Sequence, residues 1–128
     1  MAVGLAATTL ANQWLNMLRG VAYTAPAALY VKLHTGDPGA TAAANASAVT
    51  LRSQLTLAVA SGGAVALQGT QPSWNMSTGE TIAHISVWDN VTAGNFLWSA
   101  QLQVGKTVAN GDTLTLTTCG LSLTPIAA

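Results

Sequence analysis

The sequence predicts a mainly β domain: an antiparallel β-sandwich or jelly-roll-like fold carrying one short N-terminal amphipathic helix. Three observations predict it. Apolar and polar residues alternate at period two through most of the chain after Gly20. Gly, Asn, Asp and Pro punctuate those runs, and in the last forty-odd residues the strands follow one another at spacings near ten. Finally, 128 residues with a single cysteine is the length of one domain, so residues 1–20 are expected as a helical arm and 21–128 as the sandwich.

Before Gly20 the period is helical. Leu10, Trp14, Leu15 and Leu18 share one face, Thr8 or Thr9 can cap the start through its hydroxyl, and Gly20 can take the left-handed conformation that ends a helix. In ALYVKLH, Leu29, Val31 and Leu33 fall on one side of a strand while Tyr30, Lys32 and His34 fall on the other. TGDPG, Thr35 to Gly39, must turn, because the Asp side chain can accept from backbone ahead of it and Pro presets the turn angle. Ala40 to Ala48 reads as a loop, with a short Ala-rich helix as the alternative.

Alternation returns from Val49 to Val59, which fits one strand or two, and Gly62-Gly63 is a hairpin signal that sends Ala64 to Gln68 back with Val65 and Leu67 inward. A long connection, GTQPSWNMSTGE, follows. ETIAHISVWD, FLWSAQLQV and TLTLTTCGLSLTP are then strands separated by turns at DNVTAGN and NGD.

Composition narrows the function. Four Lys+Arg and four Asp+Glu make 6% of the chain, where soluble domains carry about 25%. A folded chain of 13.0 kDa exposes roughly 6,300 Å², or one charge per roughly 800 Å², about one partner's share of a standard interface. So charge-poor a surface predicts an oligomer or larger assembly. A net charge of zero with no basic cluster argues against nucleic acid, since phosphate backbones recruit grouped Lys and Arg. No uninterrupted apolar stretch of membrane-spanning length occurs, and Met1 to Trp14 lacks the basic start of a signal peptide.

Catalytic candidates are few. His34, Asp37, Glu80, His84 and Asp89 have no metal-ligand spacing, so no metal is expected, and both histidines read as structural or interfacial. Serines lack a nucleophile elbow, Cys119 sits in an alternating run that would keep it inert, and no glycine pattern cradles phosphate. No cofactor and no enzymatic activity are expected. A hydrolase would need His84 beside an acid. Asn45, Asn75 and Asn90 open glycosylation sequons that read as turn chemistry.

Four tryptophans against one phenylalanine is unusual. Trp88 and Trp98 lie in alternating strands and are expected to pack the sandwich; Trp74 follows Pro72 in a loop and is expected exposed, where its indole face could stack a sugar ring.

YVKLHTGDPG (Tyr30 to Gly39), HISVWD (His84 to Asp89), GNFLWSAQL (Gly94 to Leu102) and KTVANGDTLTL (Lys106 to Leu116) together resemble a family of small bacteriophage virion proteins, often labelled minor tail or tail-fibre-like. The likeness begins with the helix and the AYTAP segment (Ala22 to Pro26) and runs in order over most of the chain. It departs in the middle. Where the family commonly has a Gly-Gly-Tyr-Ala-Arg-like strand start, this chain has NASAVTLRSQL; if Arg52 matches the family arginine it is expected to pair with an acid at an interface.

The resemblance implies a structural particle component, located on the virion exterior. One compact domain without a shaft is more like a tile than a rod, which favours capsid decoration or cement, with a minor tail or tail-fibre role as the alternative. Expected partners are a second copy of the chain, in a trimer, and the major capsid protein or tail proteins; a host-surface glycan is the further candidate. The residues expected at interfaces are Trp14, Tyr30, Arg52, Trp74, Leu121, Leu123 and Ile126.

Overall fold

In the computed structural model residues 3–124 and 127 are described. In chain order they form β1 (Gly4–Leu5), a π turn (Ala7–Ala11), α1 (Asn12–Met17), β2 (Leu29–His34), β3 (Ser53–Leu55), β4 (Ala64–Ala66), β5 (Ser73–Asn75), β6 (Glu80–Trp88), β7 (Phe96–Val108), β8 (Thr113–Thr115) and β9 (Gly120–Ser122). One sheet has the order β1-β7-β6-β2-β3, and two ribbons, β4 with β9 and β5 with β8, make the opposing layer; every pairing is antiparallel. The fold is mainly β with one short N-terminal helix, as the alternation requires.

The alternation decides what lies between the layers. Val31 pairs with Val87, and Val87 with Trp98; Leu33 pairs with Ile85, and Ile85 with Ala100. Cross-strand partners share a face, and these side chains pack with Trp74, Met76, Leu114 and Leu121 from the ribbon side. The sheet's other face carries Tyr30, Lys32 and His34 opposite Trp88, Ser86 and His84. There Ala6, Ala42 and Phe96 form a second small cluster against Trp88, so part of the loop after β2 folds back over the sheet.

Two irregularities interrupt β6 and β7. The register steps from Val87 with Trp98 to Trp88 with Phe96, leaving Leu97 as an extra residue that turns into the core. The larger one steps from Ile82 with Lys106 to His84 with Gln101. Only Ala83 then stands against Leu102, Gln103, Val104 and Gly105. This break resets the parity of β6, so that Ile82 and Ile85, three apart, both reach the core.

The N-terminal segment departs from expectation. Instead of an arm that begins as a helix, Gly4 and Leu5 pair with Ser99 and Trp98 at the sheet edge. The helical start is a π turn closed from Ala11 N–H to the Ala6 carbonyl at 2.9 Å. No side chain caps it; the Thr9 hydroxyl donates instead to the Phe96 carbonyl. The expected stripe is only partly used: Leu10 is buried and Trp14 packs beside it, but Leu15 and Leu18 are 62% and 86% exposed, Leu18 standing at the C-cap of a helix of six residues. Gly20 ends the helix at φ +86°, as predicted.

Alternation between Val49 and Val59 yields only β3 and a bridge from Leu57 to Leu67. Backbone bonds from Ala58 to Ala66 and from Gln68 to Thr56 still close the hairpin predicted at Gly62-Gly63. Ala40 to Ala48 is a loop and not a helix.

Trp74 is the main correction. It lies in β5, pairs with Leu114, is 2% exposed, and donates its Nε1–H to the Leu51 carbonyl at 3.0 Å. Pro72 marks the residue before a strand start, not an exposed loop tip, and the ribbon pairing that buries the indole is long-range and invisible to local pattern.

Candidate functional site

Three of the residues expected at interfaces converge. Trp14 from α1, Leu121 from β9 and Leu123 just beyond it line an apolar cavity of about 350 Å³, together with Leu10, Tyr23 and Trp98. The helix reaches it because Leu10 anchors the π turn in the core, and β9 reaches it by pairing with β4. Leu123 remains 50% exposed. Burial raises the Tyr23 phenol above its ordinary pKa, with the Asp89 charge adding to the effect, so Tyr23 is a neutral ring with a polar tip. On α1 and just after it, Leu15, Met17, Leu18 and Val21 are exposed. The wall can receive apolar side chains from outside and offers no charged group. Ile126, expected at the same surface, lies outside the described residues.

Tyr30 and Arg52 belong to the other face. Tyr30 stands opposite Trp88 and is half-buried. The Arg52 guanidinium carbon lies 3.9 Å from the centroid of the Trp88 ring, and its Nη1 donates to the carbonyls of Asn90 at 2.8 Å and Ala93 at 2.7 Å. Within the chain the hydrogen bonds of Arg52 go to main-chain oxygens, which a planar guanidinium fork serves well, while the Asp89 carboxylate acts on it through charge. Those carbonyls belong to the β6–β7 turn, where Asp89 also accepts from Asn95 N at 2.7 Å and from Asn95 Nδ2 at 2.9 Å.

The histidines have structural surroundings. His34 is fully buried, with Nδ1 2.9 Å from the Ala44 carbonyl and Nε2 2.8 Å from the Ser86 hydroxyl. A carbonyl can only accept, so Nδ1 carries the proton and Nε2 accepts from Ser86, whose oxygen accepts in turn from Trp88 Nε1 at 2.8 Å. Burial lowers the pKa of His34, which keeps this neutral tautomer. His84 stands between His34 and Gln101 in the ladder, neither of them an acid, and its buried Nδ1 has no hydrogen-bond partner among the described residues. Burial also raises the Cys119 thiol above its ordinary value, which disfavours the reactive thiolate.

Sequence reasoning missed a second, larger opening. The bulged part of β7 and the stretch from Leu114 to Gly120 wall a cleft of about 690 Å³, with Leu33, Trp74 and Ile85 at its base. The signal that could have found the bulge is Gly105, a lone glycine within a strand pattern.

The model of a family described as podophage GP4 fiber I protein gp80 matches residues 5–124, nearly the whole chain. The chain therefore belongs to that family, a family of phage virion structural proteins. No curated protein matches it.

Proposed function

We propose that this member of the podophage fiber I family is a non-enzymatic fibre component on the virion exterior that meets the host surface. The carrying observation is the family match over residues 5–124, which favours the tail-fibre alternative over the capsid decoration role that the tile-like length suggested.

The molecule's chemistry supports a structural part. Its four carboxylates serve local architecture: Asp37 accepts from Gly39 N, Glu80 from Ser47 and Ala48, Asp89 from Asn95, and Asp112 from Ala109 N. Self-association, or docking on a neighbouring tail protein, would use the apolar wall around Trp14, Leu121 and Leu123. A wall without charge can be desolvated cheaply, because no buried ion needs a partner.

The test is the number of copies of this chain per purified virion, by quantitative mass spectrometry against the major capsid protein, with gold-labelled antibody to locate it. The fibre reading expects a few to a few dozen copies at the tail. Hundreds of copies spread over the head would overturn it and restore the decoration role.

A further inference from the structure

The geometry points to the cleft between the β7 bulge and Leu114–Gly120 as a binding site for an acidic saccharide. This deepens the host-contact reading and rests on it. Size is the first argument: about 690 Å³ lies within the range of roughly 300 to 1,000 Å³ typical of ligand clefts. The second is the bulge itself. Leu102, Gln103, Val104 and Gly105 stand against Ala83 alone, and Val104 is left 72% exposed. A strand forfeits ladder bonds at such a break, and bulges of this kind occur where a sheet re-aims side chains toward a site.

Lining chemistry selects the ligand. The base is apolar and buried, with Leu33, Trp74 and Ile85. The exposed rim presents the amide of Gln103, the hydroxyls of Thr117 and Thr118, and the ammonium of Lys106. Amides and hydroxyls both donate and accept, which suits a ring bearing several hydroxyl groups above an apolar face.

Charge fixes the class further. No acidic residue lines the cleft, and each carboxylate of the chain is engaged by a loop elsewhere. The Lys106 ammonium has no hydrogen-bond or ion-pair partner among the described residues, so its charge is open to an anion from outside. A sugar carboxylate meets that charge while the sugar's hydroxyls meet the Gln103 amide and the threonines.

Monovalent affinity is weak by construction. Trp74 is too deeply buried for face-on stacking, so the large stacking contribution of an exposed indole is missing. Several copies on one virion would supply the avidity.

The test uses the full chain with trigalacturonic acid, a neutral galactose trisaccharide of equal length, and an uncharged Thr/Gln-containing peptide, read by saturation-transfer NMR at ligand concentrations up to about 10 mM, the range of weak single-site binding. The acidic trisaccharide is expected to bind, at least fivefold better than the neutral one and less well as salt rises. Lys106→Gln and Thr117→Val are expected to weaken it at least threefold without altering the melting temperature. Absence of transfer, equal binding of the neutral sugar, or preference for the peptide would overturn the proposal. Adsorption separates the two readings: virions lacking the chain that adsorb normally overturn host contact altogether. If those virions fail to adsorb while Lys106→Gln virions adsorb as wild type, the saccharide site alone is overturned.

Discussion

Arg52 lies over the face of Trp88, 3.9 Å from guanidinium carbon to ring centroid, while the same guanidinium holds the carbonyls of Asn90 and Ala93. One cation thus ties the β3 edge to the β6–β7 turn through a stack and two charge-assisted bonds. Stacking of this kind contributes about 0.5–1 kcal/mol at an exposed site, and a hydrogen bond from a charged group about 1.5–3 kcal/mol.

Arg52→Ala is expected to destabilise the domain by about 1–3 kcal/mol, because the solvent-facing carbonyls can be rehydrated and recover part of the loss. Arg52→Lys should recover less than half of it, since an ammonium lacks the planar fork. Urea denaturation followed by tryptophan fluorescence measures both; equal stability of all three proteins would remove the tie from the account.

Gly94 is required by the same turn. It adopts φ +73°, and a Cβ there would stand 2.5 Å from Asp89 Oδ1 and 2.7 Å from Asn90 Cβ. Gly94→Ala should cost about 1–3 kcal/mol through strain and displacement of the Asp89 carboxylate from Asn95. Gly111→Ala, at φ +92° with open space around it, should cost less, from backbone strain alone. Thermal melts of the two variants compare steric crowding with conformational strain.

Trp74→Ala is expected to cost about 3–5 kcal/mol, the range for removing a buried aromatic. Trp74→Phe should fall between, losing the bond to the Leu51 carbonyl while filling most of the space. A Trp74→Ala protein as stable as wild type in guanidinium titration would place the indole outside the core.

His34 makes the fold sensitive to acid. Burial lowers its folded pKa below the ordinary 6.5, so the unfolded chain takes up the proton more readily. The contribution of neutral His34 is complete above about pH 6.5 and diminishes as pH falls from there toward the lower folded value. The melting temperature should decline over that window, and His34→Gln should lower stability at neutral pH while flattening the decline. A wild-type melting temperature constant from pH 7 to pH 5 would contradict the assignment of the neutral tautomer.

Much of the architecture was legible in the residues themselves. Period-two alternation in Leu29–His34, ETIAHISVWD and FLWSAQLQV located the three central strands, because one buried face imposes that period on a strand; the register breaks at Ala83 and Leu97 and the run of β7 on to Val108 were not legible there. Asp37, Gly62-Gly63 and the Asn110–Asp112 turn worked locally: Asp37 accepts from Gly39 N and Asp112 from Ala109 N, bonds spanning two and three residues. Their outcome needs no knowledge of the rest of the chain.

Tertiary structure alone decided the remainder. Trp74 is buried because β5 meets β8 some forty residues later, and Leu18, at the C-cap of its short helix, is left exposed. Arg52 stacks on Trp88 across the sheet edge, and four residues of β7 bulge opposite Ala83 to wall a cleft. Each of these depends on register between distant segments. Periodicity says which side chains share a face; only the pairing of strands far apart in sequence says which faces meet, and therefore which apolar residues are core and which remain as surface.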